Sequence, residues 1–132
     1  MGIPSGAYLA TEYKCHVFGE TIAAIAVIRR SANKQDTRSR YYTKHWEIFD
    51  DPMSTRCQQG NYIDPPECLD EILTMARKLG KVYGTYVRID FYASQQGCVF
   101  GEFTPNPATS QFTEFADDYF GALWQKIFPD QI

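Results

Sequence analysis

The stretch Arg88-Ile-Asp-Phe-Tyr-Ala-Ser-Gln-Gln-Gly-Cys-Val-Phe-Gly-Glu-Phe-Thr-Pro-Asn106 decides how the chain is read. Val87, Ile89 and Phe91 alternate with Arg88, Asp90 and Tyr92, the period of a strand with one face buried. Gln96-Gly97 is a turn signal. On the return, Phe100, Glu102 and Thr104 alternate with Val99, Gly101 and Phe103. The pattern predicts a β-hairpin with a carboxylate on each arm. If a three-residue loop closed by a bulged glycine joins the arms, Asp90 stands directly across from Glu102; a loop of two or four residues sends them to opposite faces. Carboxylates on neighbouring strands repel each other unless a cation lies between them. Such oxygen ligands suit Mg²⁺, which takes one or two carboxylates together with substrate phosphates. An acidic pair on a hairpin is more often a solvated face beside a lysine or arginine than a metal site, and spacing alone leaves both readings open.

Working outward, residues 12–18 and 21–29 read as a second hairpin around Gly19-Glu20. Its second arm is apolar at every position of 22–28, which predicts a central strand covered on both faces. Residues 31–40 are polar and without a period, and predict an exposed basic loop. A short strand carrying Trp46 is expected over 41–49, then an irregular connection over 50–64. A helix is expected over 66–79. Asp64 suits its cap, Pro65 the first helical position and Glu67 the capping box. Leu69, Ile72, Leu73, Ala76 and Leu79 form its apolar stripe, and Gly80 suits a left-handed cap. A second helix is expected over 114–127, with Pro129 just beyond. These elements sum to an α+β domain spanning 1–132: a mainly antiparallel sheet of four or five strands with two helices packed on it, both on one face.

Composition excludes several classes of function. A net charge of −3 gives no electrostatic case for nucleic acid. The longest apolar run, 22–28, is far short of the ~20 residues a membrane span needs. The N-terminus has no charged region followed by an apolar core, so no secretory signal is read and a cytoplasmic location is expected. Cys15, Cys57, Cys68 and Cys98 form no Cys-x-x-Cys pair. Free thiols are therefore expected over disulfides, zinc or a redox motif. His16 and His45 are too scattered for a metal cluster and read as structural.

Arg88-Ile-Asp-Phe-Tyr followed by Phe100-Gly-Glu-Phe-Thr104 resembles the metal-binding end of an ATP-grasp domain, in its TupA-like (teichuronopeptide biosynthesis) branch. Tyr13-Lys14-Cys-His-Val-Phe-Gly19, the segment from Arg38 to Trp46 and the helix over 66–79 extend the resemblance in the family's order. What it implies is the C-terminal subdomain of such a domain, with ATP and Mg²⁺ as cofactors. The implied activity is ligation of a carboxylate to an amine through an acyl phosphate. Asp90 and Glu102 match the Mg²⁺ carboxylates. Arg88 is placed to hold the transferred phosphoryl group or the substrate carboxylate, or else to pair with Asp90 or Glu102, and Lys14 to approach the phosphates or the acceptor, or else to stand as a surface charge. Thr104 stands where the wider superfamily has Asn as third ligand, and Asn106 comes two residues later. Arg38 and Arg40 are placed to meet a negatively charged substrate. A full ATP-grasp domain is about twice as long, and no Gly-rich phosphate loop is found here. The expectation is therefore one wall of the cleft, completed by a second subunit or a second copy. The alternative is a non-catalytic module, or a truncated fragment, built on the same fold and acting through protein contacts.

Overall fold

The computed structural model describes residues 10–94, 97–105 and 112–129. Six strands form one sheet in the order β4-β3-β2-β1-β5-β6. They are β1 (Ala10–Phe18), β2 (Thr21–Arg30), β3 (Arg38–Tyr42), β4 (Gln58–Gln59), β5 (Tyr86–Ser94) and β6 (Gly97–Thr104). All neighbours are antiparallel except β3 and the two-residue β4. The two helices are α1 (Leu69–Tyr83) and α2 (Glu114–Ile127). The architecture is the expected α+β arrangement, with an extra strand at one edge.

The helices do not share a face. Tyr13, Cys15, Val17, Ile25, Val27, Val87, Ile89 and Phe91 form one core cluster with Ile72 and Ala76 of α1. Phe18, Ala24, Ala26 and Tyr41 form the other, with Ala116 and Phe120 of α2. Period 2 on each strand sends neighbouring residues to opposite sides, so α1 and α2 cover opposite faces. The expectation that both lie on one face is corrected by this. β2 sits between β1 and β3 and feeds both clusters, in keeping with its unbroken apolar sequence.

Several boundaries move for local reasons. α1 starts at Leu69 without a side-chain cap, not at residue 66. Pro66 holds the residue before it in extended geometry, so the Asp64–Pro65 signals do not open the helix. The helix runs past Gly80 to Tyr83, and Gly84 (φ 91°) supplies the left-handed cap. Gly80 has a packing role instead: a Cβ there would collide with the Gly19 carbonyl and Val17. The basic loop expected over 31–40 instead holds a 3₁₀ turn (Lys34–Asp36) and the start of β3. The strand expected over 41–49 ends at Tyr42, whose ring stacks on Trp46 at 4.2 Å between centroids. α2 has the expected bounds, and the Thr113 side chain accepts from Ala116 N at 3.2 Å as its cap.

Cys68 and Cys98 are joined as a disulfide with Cα atoms 5.8 Å apart, which corrects the expectation of free thiols for these two. They lie 30 residues apart in sequence. Packing of α1 against β6 brings them together, and no sequence spacing announces such a pair. Cys15 is a free, fully buried thiol whose pKa burial pushes up, so it packs as a small apolar residue.

Candidate functional site

The β5–β6 hairpin brings Asp90 opposite Glu102, by a route the sequence pattern does not show. Ser94 pairs with Gly97, so only Gln95 and Gln96, which lie outside the described residues, separate the arms. The register shifts once between Asp90 and Phe91, where Gly101 is the extra residue on β6. That bulge returns Glu102 to the face of Asp90. It also sends Phe100 to the α1 face, opposite to the expected alternation. A Cβ at residue 101 would run into the Tyr92 ring, so the bulge needs glycine.

The site residues form two parallel rows across three strands. Lys14, Asp90 and Glu102 are consecutive cross-strand partners on β1, β5 and β6. His16, Arg88 and Thr104 form the next row. Both rows lie on the α2 face, where α2 covers the Phe18–Tyr86 end and leaves the ionic end open. Asp90 is 0% exposed. It accepts from Lys14 Nζ at 2.9 Å, from Arg88 Nε at 3.0 Å and from an Arg88 terminal nitrogen at 3.1 Å. Charge-assisted contacts of this kind compensate the burial of its charge. Glu102 is exposed and accepts from the Thr104 hydroxyl at 3.4 Å. Among the described residues it has no ion pair.

The chain of charges continues to the other side of Lys14. Lys14 Nζ is 3.4 Å from Glu12 Oε1. Glu12, itself buried, is bound by Arg30 through Nε and, at 3.3 Å, through a terminal nitrogen. Burial pushes the Glu12 pKa up, but the Arg30 bonds and the charges of Arg30 and Lys14 outweigh it and hold the carboxyl below its usual value. Cations and carboxylates thus alternate as Arg30, Glu12, Lys14, Asp90, Arg88 across β2, β1 and β5. Sequence reasoning missed Glu12 and Arg30 as a pair. The available signal was period 2 alone: Arg30 follows Ile28, the cross-strand partner of Glu12, by two residues on the same face.

Beside this chain lies a cleft of about 110 Å³ lined in part by Lys14, Arg30, Arg56 and Arg88. Its floor includes His16 and Tyr41. His16 is buried; its Nδ1 is 2.7 Å from the Tyr86 hydroxyl and its ring stacks with Tyr41 and Tyr86. Burial, then the charges of Arg88 and Lys14, push its pKa down to about 3, so it is neutral at physiological pH. Burial pushes Tyr41 up to about 12 and raises Tyr86 as well. None of the three exchanges a proton near neutral pH.

The structure does not gather every expected residue here. Ser39 and Tyr41 of β3 face the cleft, so Arg38 and Arg40 on the same strand point to the other side of the sheet. There Arg38 donates to the Gln35 and Thr37 carbonyls, and Arg40 to the Gly60 carbonyl at 3.2 Å. Asn106 lies outside the described residues. Lys14, Arg88, Asp90, Glu102 and Thr104 do come together.

The donor set permits Mg²⁺ of a particular kind. Among the described residues no group of three or more His, Cys, Asp or Glu side chains converges. Two carboxylates facing each other, one of them open, are what Mg²⁺ uses when substrate phosphates complete its shell. Both Asp90 oxygens are bonded to cations, and Glu102 is the carboxylate of the two that has no ion pair among the described residues.

No described helix is long and apolar enough to cross a membrane. The TupA-like ATPgrasp family model matches residues 5–127, nearly the whole chain, and the chain belongs to that family. No curated protein and no solved structure matches it.

Proposed function

We propose that this member of the TupA-like ATP-grasp family is the metal- and phosphate-binding part of an ATP- and Mg²⁺-dependent ligase that joins a small carboxylate substrate to an amine. The observation that carries the reading is the pair of rows on β1, β5 and β6, with cations and open oxygens side by side. Lys14, Asp90 and Glu102 stand beside His16, Arg88 and Thr104 in a chain of the right family. Transfer of a phosphoryl group to a carboxylate asks for charge neutralisation and in-line placement more than for acid–base groups. The neutral His16, Tyr41 and Tyr86 agree with that demand.

Glu102 and Asp90 are the residues to hold Mg²⁺, with Thr104 beside them. Bound there, Mg²⁺ supplies charge neutralisation at the phosphate oxygens. Arg88 presents a planar fork suited to a phosphoryl or carboxylate group, and Lys14 a compact positive charge. Both are now engaged by Asp90. Each keeps N–H donors beyond those that Asp90 takes, so both can meet a phosphate while still holding that carboxylate. A second polypeptide, or a second copy, supplies the opposite wall of the cleft in this reading. Exposed Val99 and Tyr92 on the open side of the hairpin suit such a contact.

The occupancy of Asp90 favours one alternative: a binding module in which the ionic chain is structural and no nucleotide is held. Calorimetric titration with ATP, with and without Mg²⁺, beside the mass in solution separates the two. Binding that requires Mg²⁺ supports the ligase. A well-folded chain or oligomer that binds no ATP under either condition leaves the binding module.

A further inference from the structure

The cleft beside Lys14 carries a charge excess to which Arg30 and Arg56, unused in the ligase reading, contribute. Four cations line it, Lys14, Arg30, Arg56 and Arg88. The carboxylates bonded to them are two, Glu12 and Asp90. His16 is neutral. Among the described residues the cleft therefore carries two positive charges beyond its neutralising partners. It has a defined shape as well. Ala26 is the cross-strand partner of both Lys14 and Tyr41, and its methyl leaves a depression between those longer side chains. Ser54 and Phe112, paired across an isolated bridge, close one side. Arg56 stands at the rim, exposed, with its backbone N–H bound to the Ser54 hydroxyl at 3.1 Å. A volume of about 110 Å³ has room for an anionic head group. Glu102 does not line it, so the cleft lies on the opposite side of Lys14 from the open metal ligand.

We propose that this cleft is a second anion subsite, taking a small doubly charged oxyanion, either a dicarboxylate or a phosphate group, with Arg30 and Arg56 as its specificity-determining residues. That this anion is the ligase's substrate rests on the function proposed above; the subsite itself does not. Arg30 keeps donors free after its two bonds to Glu12. Arg56 adds a fork that can swing over the opening. Lys14, shared between Asp90 and the cleft, sets the bound anion next to the phosphate-binding row.

The test is calorimetric titration of the full chain at low salt with succinate and, separately, with inorganic phosphate. Wild type, Arg56→Gln and Glu102→Gln are compared, each checked for an unchanged melting temperature. Arg56 is exposed, so its variant should fold. Binding of either anion by wild type is expected, and which one binds identifies the source. Arg56→Gln should weaken it about tenfold, the loss of one hydrogen-bonded charge. Glu102→Gln should leave it unchanged. The subsite is overturned if neither anion binds, if Arg56→Gln has no effect, or if Glu102→Gln abolishes binding. Anion binding without ATP binding would remove the ligase reading and leave the subsite. ATP binding without either anion would do the reverse.

Discussion

The two faces of one sheet do different work, and the same strands build both. On the α1 face, β1 and β5 present Tyr13, Cys15, Val17, Val87, Ile89 and Phe91 as one apolar layer. On the α2 face, the alternate residues of the same strands are Glu12, Lys14, His16, Arg88 and Asp90. The apolar face is closed by a helix and its strand residues are buried. The ionic face is covered at one end only. The difference shows how a small domain can hold buried charge: a buried apolar layer behind the sheet fixes the strand register, and the register lines up charges that neutralise one another in front. A second contrast lies within the ionic face. Asp90 and Glu102 are direct partners, yet one is wholly buried and held by two cations, while the other is open.

These contrasts can be broken in order of expected effect. Ile89→Ala removes a fully buried side chain from the α1 face and should cost about 2–5 kcal/mol in chemical denaturation. A loss under about 1 kcal/mol would mean that this face is not the packed layer. Asp90→Asn keeps the shape but leaves Lys14 and Arg88 without their counter-charge. Loss of one partner of a buried pair is strongly destabilising; both cations retain some exposure here, which reduces the figure to about 2–3 kcal/mol. The melting temperature should fall accordingly, and no fall would show that the ionic chain is not structural.

His16 sharpens the contrast through pH. Buried and neutral when folded, it protonates near its ordinary 6.5 once the chain unfolds. Its depressed pKa therefore contributes stability that is fully present above 6.5 and is lost as pH falls toward about 3. Glu12, held below its ordinary 4.5, adds a further loss only below that value. Between these two ordinary values the wild type should lose up to about 1.4 kcal/mol per pH unit. His16→Gln should flatten that slope in denaturation measured across the window. A slope that survives the substitution would place its origin elsewhere.

The sequence made parts of this legible. Period 2 in 87–92 and the helical stripe of 69–79 depend on local physics, and both elements are found. A turn signal plus a bulged glycine predicts the pairing of Asp90 with Glu102, but the bulge sits at Gly101 in the strand and not in the loop. By sequence, Arg38 and Arg40 belong to a polar segment without a period. Once β3 starts at Arg38, alternation with Ser39 and Tyr41 sends both away from the cleft. Arg56, the Cys68–Cys98 bond and the placement of the helices on opposite faces are products of long-range packing. No spacing within the chain encodes them.

Glu102→Gln is the smallest structural change of the set. An exposed carboxylate without an ion pair should alter stability by no more than about 0.5 kcal/mol. That makes it the cleanest probe of the open ligand, free of the destabilisation expected at Asp90. The decisive measurement is calorimetric titration of ATP in the presence of Mg²⁺ into wild type and Glu102→Gln of matched melting temperature. Mg²⁺-dependent binding by wild type that is lost in the variant is the predicted result. Equal binding by both, or binding indifferent to Mg²⁺, would contradict the account.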